Sequence, residues 1–283
     1  MKPMLKYRGG KSKEIPEFKS FIPEAFDTFY EPFFGGGAVY FYLEPEKAVI
    51  NDENARLMDF YCSVKNNYEV VRQQLDQLQK IYENNVTDYK ALKRANPDKR
   101  VEDKNEALYY QLRDAFNHHV QSDYLDAVVY FFINKTAYSG MIRYNTAGDY
   151  NVPYGRYKNF NTRLVTEEHH KLLQGATILT GDFSTPFDMA TENDFMFLDP
   201  PYDTVFNDYG NIEFQNGFDE IEHRRLAKEF KKLRCKALMV IGKTELTEEL
   251  YGDYIKAEYF KSYSVNIRNR FKSESKHIIV TNY

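Results

Sequence analysis

The spacing of apolar positions divides the chain into three stretches. Through residue 53 they come in short runs, "DTFYEPFFGGGAVYFYL" and "KAVIND", which predict strands, with a helix-like run after the glycines of the first. Across 55–82 and 105–133 they recur every three or four residues, as at Leu75, Leu78, Ile81 and Tyr82, then Leu108, Leu112, Ala115 and Phe116. That period predicts amphipathic helices, and the polar "NPDKRVEDKN" between them predicts a loop. Residues 134–163, "NKTAYSGMIRYNTAGDYNVPYGRYKNFNTR", have no helical period; they predict a loop and hairpin with "TAGD" as a turn.

From about 166 short runs return. "ATILTGDF" and "DFMFLDPPY" predict strands, followed by a long loop with two glycines. "FDEIEHRRLAKEFKKLR" predicts a helix capped by Asp219, with Ile221, Leu226, Phe230 and Leu233 inward. "KALMVIG" predicts a strand, a further helix is expected after Thr247, and "KHIIVTNY" predicts a closing strand. Strands alternating with helices imply an α/β fold, a mostly parallel sheet covered on both faces. Residues 1–53 and 166–283 would form this discontinuous domain, with 54–165 inserted between its halves.

Composition narrows the class. A chain of 283 residues, 42% hydrophobic, can bury a sizeable core. The 24 tyrosines and 22 phenylalanines, without tryptophan, suit surfaces that stack or hydrogen-bond as well as core. Two cysteines without CxxC or zinc spacing exclude a disulfide framework and point to a reducing compartment. No apolar segment follows the basic start, and none approaches the ~20 residues of a membrane span. A cytoplasmic protein with no membrane partner is expected. The paired histidines, His118-His119 and His169-His170, lack zinc spacing; surface helical positions and no metal are expected. Net charge is −4, yet 256–276 carries six Lys/Arg against Glu258 and Glu274, and 138–163 carries four against Asp149. Charge alone favours solvated surface over phosphate contacts.

Four strand-end features carry candidate chemistry. "EPFFGGGAV" suits either a tight turn or close backbone approach to a ligand, but it is neither a P-loop nor GxGxxG. Asp52, ending "VIND", stands 15 residues after Gly37, where nucleoside binders place a ribose-binding carboxylate; it also suits a helix N-cap. "GDF" could offer Asp182 to an adenine amine and Phe183 to its ring, or form a turn with a core Phe. In "LDPPY" each proline holds the residue before it extended, which fixes Asp199 where its strand leaves the sheet.

Together with "LKYRGGK" and "NKTAYSGMIRYNTAGDYNVPYGRYKN", these motifs resemble, over nearly the whole chain, the Dam-like or D12 class of alpha-group N6-adenine DNA methyltransferases. The resemblance implies a Rossmann-like S-adenosylmethionine-dependent methyltransferase sheet with a helical and hairpin target-recognition insertion. It implies transfer to N6 of a flipped adenine in double-stranded DNA, S-adenosylhomocysteine as product, and no metal. Asp199, Pro200, Pro201 and Tyr202 would form the catalytic loop. Tyr7, Lys11, Phe33, Gly35, Gly37, Asp52, Asp182, Phe183 and Asp199 would bind the cofactor, with Tyr7 where a tryptophan is usual.

The DNA contacts implied are Lys6, Tyr138, Ser139, Met141, Arg143, Pro153, Arg156 and Lys158, with Ser139 in place of a common asparagine. Arg143 would read a guanine edge, Met141 and Pro153 would meet thymine methyls, and the site expected is GATC or one sharing its half. "NIRNRFKSESKH" resembles a basic DNA-contacting loop of the family. A monomer is expected, as a solitary enzyme, a phage enzyme or the partner of a restriction endonuclease. Two other classes share features: an RNA or glutamine amino-methyltransferase, disfavoured by the Arg143 insertion, and a non-catalytic binding protein, disfavoured by Asp199 and Tyr202.

Overall fold

A computed structural model of the chain describes residues 1–7, 9–202, 218–262 and 274–283. Its internal contacts divide into two compact units. One is helical and holds Met1–Gly10 and Asn54–Gln174. The other holds Lys11–Glu53 and the described residues from Gly175 onward, and it carries the sheet.

The sheet follows from the short apolar runs. Its strands are β1 (Phe29–Glu31), β2 (Ala48–Asp52), β3 (Ala176–Thr180), β4 (Phe195–Leu198), β5 (Lys236–Gly242), β6 (Ile255–Ser262) and β7 (Glu274–Thr281). Among the described residues they lie in the order β3-β2-β1-β4-β5-β7-β6. The first five are mutually parallel, and β7 runs antiparallel between β5 and β6. This is the α/β architecture that the alternation of elements predicts. All four residues of β4 are buried, as a parallel strand covered on both faces requires. Met196 and Leu198 face a core with Leu226, Phe230, Met239 and Ile241. Phe195 and Phe197 face the other way, against Phe29 and Phe18 at 5.9 and 5.4 Å between ring centroids. Each such side chain contributes ~1.5–3 kcal/mol by leaving water.

Several local expectations change. Only Phe29–Glu31 of the first apolar run is strand, and Tyr40–Leu43 is a helical turn. Asp219 does cap the helix Glu220–Phe230, but Ile221 is 73% exposed, because five residues before Leu226 puts it about 140° around the helix. The helix expected after Thr247 starts at Glu245, where Thr244 and Thr247 cap reciprocally. β6 has no counterpart among the predicted strands: it lies at the sheet edge, and Lys256, Glu258 and Lys261 give it a polar character.

The helical unit contains Ala55–Asn66, Tyr68–Ala95, Lys104–Phe116, Asp126–Thr136 and Glu167–Gln174. Asn54 accepts the Leu57 N–H at 2.9 Å, so the cap considered for Asp52 is provided by Asn54. Val71, Leu75, Leu78 and Tyr82 are buried along the longest helix, whereas Ile81 is 39% exposed. His118 and His119 are exposed in a turn, but His169 is buried, bonded to Thr166 and to the Lys2 carbonyl. Among the described residues no helix is long and apolar enough to cross a membrane, and no group of three or more His, Cys, Asp or Glu could hold a metal ion.

Candidate active site

In the sheet unit the C-terminal ends of β3, β2, β1 and β4 lie side by side. The strand order reverses between β1 and β4, the place where open α/β sheets bind ligands. The glycine turn follows β1, and the acid-Pro-Pro-Tyr loop follows β4.

Backbone bonds fold the glycine turn tightly. Phe34 N–H donates to the Asn51 carbonyl and Gly37 N–H to the Phe34 carbonyl, at 2.9 and 2.8 Å. Gly37 has φ +66°, and a Cβ there would lie 2.6 Å from Phe34 Cζ. Asp52 accepts the Gly35 N–H at 2.8 Å, which ties the end of β2 to this turn. Asn51, unassigned from sequence, completes the frame: its Nδ2 donates to the Pro32 and Gly181 carbonyls, joining three strand-end loops.

Phe33 and Phe183 pack together at 5.3 Å between centroids. Asp182 is gripped by Arg225, whose two terminal nitrogens donate to its two oxygens at 2.9 and 2.6 Å. Arg225 also lies 4.1 Å over the Phe183 ring. The Arg225 bonds outweigh partial burial, with help from Ser184, and hold the Asp182 carboxyl well below its usual range. Oδ1 also accepts two bonds from Ser184, so an adenine amine would meet Oδ2 or displace Arg225. Arg225 escaped sequence reading because it lies on a helix 43 residues further on.

The acid-Pro-Pro-Tyr loop is held by Lys11, only 2% exposed. Its Nζ donates to Asp199 Oδ1 at 2.6 Å and to the Tyr202 hydroxyl at 2.7 Å. The Tyr202 ring rests near Gly242 and lies edge-on to His277, at 5.0 Å between centroids. Burial pushes the Asp199 carboxyl up, the Lys11 ammonium opposes it, Glu14 adds to it and Lys261 subtracts. Pro200 is buried and Pro201 half-buried beside them.

These groups suit a ligand that carries a nucleoside. A glycine turn admits close approach, the Asp52 carboxylate stands at the end of β2 bonded to that turn, and the Phe33 and Phe183 rings pack together beside Asp182.

In the helical unit, Tyr7 accepts the Gly10 N–H through its carbonyl, whereas Lys11 opens the sheet unit. Lys6 is docked: Asn134 bonds both its N–H and its carbonyl, at 2.9 and 2.8 Å. Lys6 Nζ donates to the Lys135 carbonyl and lies 4.1 Å over the Tyr157 ring. Lys135 itself is 7% exposed, and burial, aided by the Lys6 ammonium, pushes it down to about 7.

A hairpin joins Ala137 to Tyr154 and Tyr144 to Tyr150, with Gly148 at φ +88° in the "TAGD" turn. Ser139 adopts φ +54° at its base. Tyr138, Ser139, Met141, Arg143 and Pro153 are all exposed on it. Arg143 is aimed by Asn151, which accepts from its Nε at 2.7 Å and from Nη2 at 3.1 Å. Arg156 pairs with Glu106 instead, and Lys158 is exposed.

Buried tyrosines support the hairpin, which accounts for part of their excess. Tyr109 donates to the Val152 carbonyl and Tyr150 to the Met141 carbonyl, both at 2.8 Å, while Tyr82 donates to the Tyr157 carbonyl. Tyr109→Phe should cost ~1–3 kcal/mol by leaving a buried carbonyl without its donor. Urea unfolding measures this, and a loss under ~0.5 kcal/mol would count against that hydroxyl as a support. The basic stretch "NIRNRFKSESKH" lies outside the described residues as far as position 273, as does the glycine-bearing loop at 203–217.

Comparison with known proteins agrees with this arrangement. Residues 7–268 match the family model of the D12 class N6 adenine-specific DNA methyltransferases. The Type II methyltransferase M.CviBI of Paramecium bursaria Chlorella virus NC1A is 35% identical, over 100% of both chains. The Type II methyltransferase M1.LlaDCHI of Lactococcus lactis subsp. cremoris is 31% identical, over 100% of this chain and 96% of its own. The Type II methyltransferase M.MjaIII of Methanocaldococcus jannaschii is 33% identical, over 89% of this chain and 87% of its own. With its switch-point glycine turn and its acid-Pro-Pro-Tyr loop, the chain belongs to the D12 class of adenine-specific DNA methyltransferases.

Proposed function

We propose that this enzyme methylates N6 of an adenine drawn out of duplex DNA, within GATC or a short site sharing its half. The observation that carries the reading is the Lys11 clamp, which fixes Asp199 and Tyr202 together where β4 leaves the sheet. The cofactor proposed is S-adenosylmethionine, which when bound supplies an electrophilic methyl group. Phe33, the Gly35–Gly37 turn, Asp52, Asp182 and Phe183 are proposed to hold it, with Tyr7 and Lys11 towards its methionine end.

The chain's own task is to make a poor nucleophile attack. The adenine N6 lone pair is delocalised into the ring. Asp199 and the Pro200 carbonyl accept the two N6 hydrogens and so direct a lone pair outwards. Pro201 holds Pro200 extended, so the acceptors need little reorganisation. Tyr202 offers a face for the extruded ring, and base–aromatic stacking of this kind is worth ~1–3 kcal/mol.

Target choice is assigned to the hairpin. Exposed Arg143, oriented by Asn151, presents a fork suited to guanine O6 and N7. Tyr138 and Ser139 are proposed to stack and hydrogen-bond there, Met141 and Pro153 to meet thymine methyls, and docked Lys6 to read the outer pair. Arg156 and Lys158 are proposed on phosphates, Arg156 after release from Glu106. A partner restriction endonuclease acting at the same site is proposed from the Type II names of the relatives; a cytoplasmic monomer is proposed as well.

Incubation with unmethylated DNA and labelled cofactor, followed by sequencing of methylated adenines, tests the reading. Methylation at one short adenine-containing site is expected; transfer only to RNA or protein would overturn it. Arg143→Ala should relax discrimination at a single guanine by ~1–3 kcal/mol. An unchanged site profile would remove Arg143 from base reading.

A further inference from the structure

Behind the Lys11 clamp lies a second, buried charge cluster that the reaction as described does not use. Glu14, 5% exposed, closes the short turn begun by Lys11 and donates its N–H to the Lys11 carbonyl at 2.7 Å. Its Oε2 accepts from His277 Nδ1 and from the Tyr259 hydroxyl, each at 2.7 Å. Its Oε1 lies 2.5 Å from Lys261 Nζ. Tyr259 and His277 are register partners on β6 and β7, and Lys261 follows two residues along β6. An isolated carboxylate would not stay charged at such a depth. Burial does oppose its ionisation, but His277, Lys11, Lys261 and Tyr259 together hold the Glu14 carboxyl at about 2.

The cluster touches the reacting loop in two ways. His277 is wholly buried, and its ring stands edge-on to Tyr202. A carboxylate only accepts, so the bond to Glu14 makes Nδ1 the protonated nitrogen and fixes the tilt of that ring. Glu14 and Lys261 also act on Asp199 with opposite signs. The groups facing Asp199 are Lys11 and Glu14 on the N-terminal turn, Glu31 on β1, Tyr202 on its own loop, and Tyr259 and Lys261 on β6.

We propose that Glu14 is a positioning residue for methyl transfer: through His277 it sets the lean of the Tyr202 ring, and against Lys261 it balances the field at Asp199. This rests on the assignment of Asp199 and Tyr202 to the reacting loop. Neither Glu14 nor His277 is among the residues proposed to bind cofactor or DNA.

Two substitutions give opposite signs. Asp199 accepts hydrogen bonds while ionised, so turnover falls as pH drops through its titration. Glu14→Gln removes a negative neighbour, so the acid limb of the kcat profile should move to lower pH by roughly half a unit. Lys261→Met removes a positive neighbour and should move it to higher pH. In Glu14→Gln, kcat should fall about ten-fold while KM for cofactor and for DNA change less than about two-fold.

Long-range proton–nitrogen spectra of the unmodified protein should show His277 protonated at Nδ1, a readout independent of activity. Acid limbs that stay put, or move the same way in both variants, would overturn the proposal, as would a His277 ring bare at Nδ1. Asp199→Ala distinguishes the two layers. If that variant still turns over, the loop assignment fails; if it is inactive while Glu14→Gln behaves as the parent, only the role of Glu14 fails.

Discussion

Asp199→Ala is expected to bind S-adenosylmethionine and to transfer methyl groups at least ~10³-fold more slowly than the parent. The carboxylate is one of two acceptors proposed to direct the N6 lone pair, and alanine offers none. Its side chain keeps 22% of its surface, so truncation opens no sealed cavity. Lys11, 2% exposed, loses a charged partner but still donates to the Tyr202 hydroxyl, which tempers the loss of stability. The glycine turn, Asp52 and Phe183 are untouched. Single-turnover transfer with labelled cofactor, beside equilibrium cofactor binding, separates the two effects. Turnover within about ten-fold of the parent would remove Asp199 from the chemistry.

Gly37→Ala is expected to be strongly destabilising. Gly37 holds φ +66°, which costs an L-residue ~1–2 kcal/mol. The new Cβ would also lie 2.6 Å from Phe34 Cζ and 2.9 Å from Phe41 Cε2. Both rings are buried, so they have little room to yield, and overpacking of this kind costs ~1–3 kcal/mol. Together that is roughly 2–5 kcal/mol against a typical stability of ~5–15. Urea unfolding gives the loss directly. A change below ~1 kcal/mol would mean that the turn relaxes freely and that its tightness is not required.

The core sheet was legible because its signal is local. A buried parallel strand such as "FMFL" is apolar at every position, and its exit is marked by residues whose backbone chemistry is restricted. Asp199 and the glycine turn are marked in that way, and Asp52 is marked by its place 15 residues after Gly37. What escaped notice depends on contacts distant in sequence. Arg225 looks like any surface helix arginine until it meets Asp182. Asn51 looks like part of a strand, although its amide joins two other loops. Glu14 and His277 are 263 residues apart, and nothing near either announces a buried pair. β6 is hidden in the sequence because an edge strand, half solvated, reads as polar loop. Ile221 reads as inward by its hydrophobicity, but its angle around the helix turns it to solvent.

The hairpin that carries Arg143 is held from beneath. Hydroxyls of Tyr82, Tyr109 and Tyr150 take its carbonyls, and Asn117 bonds both polar groups of the Tyr150 backbone. None of these supports is among the outward residues Tyr138, Ser139, Met141 and Arg143. The residues that hold the hairpin and those proposed to read the target are therefore different amino acids. If the outward residues read DNA as proposed, they can be exchanged one at a time while the supports stay in place, which opens a route to new target sites that does not pass through an unfolded ancestor.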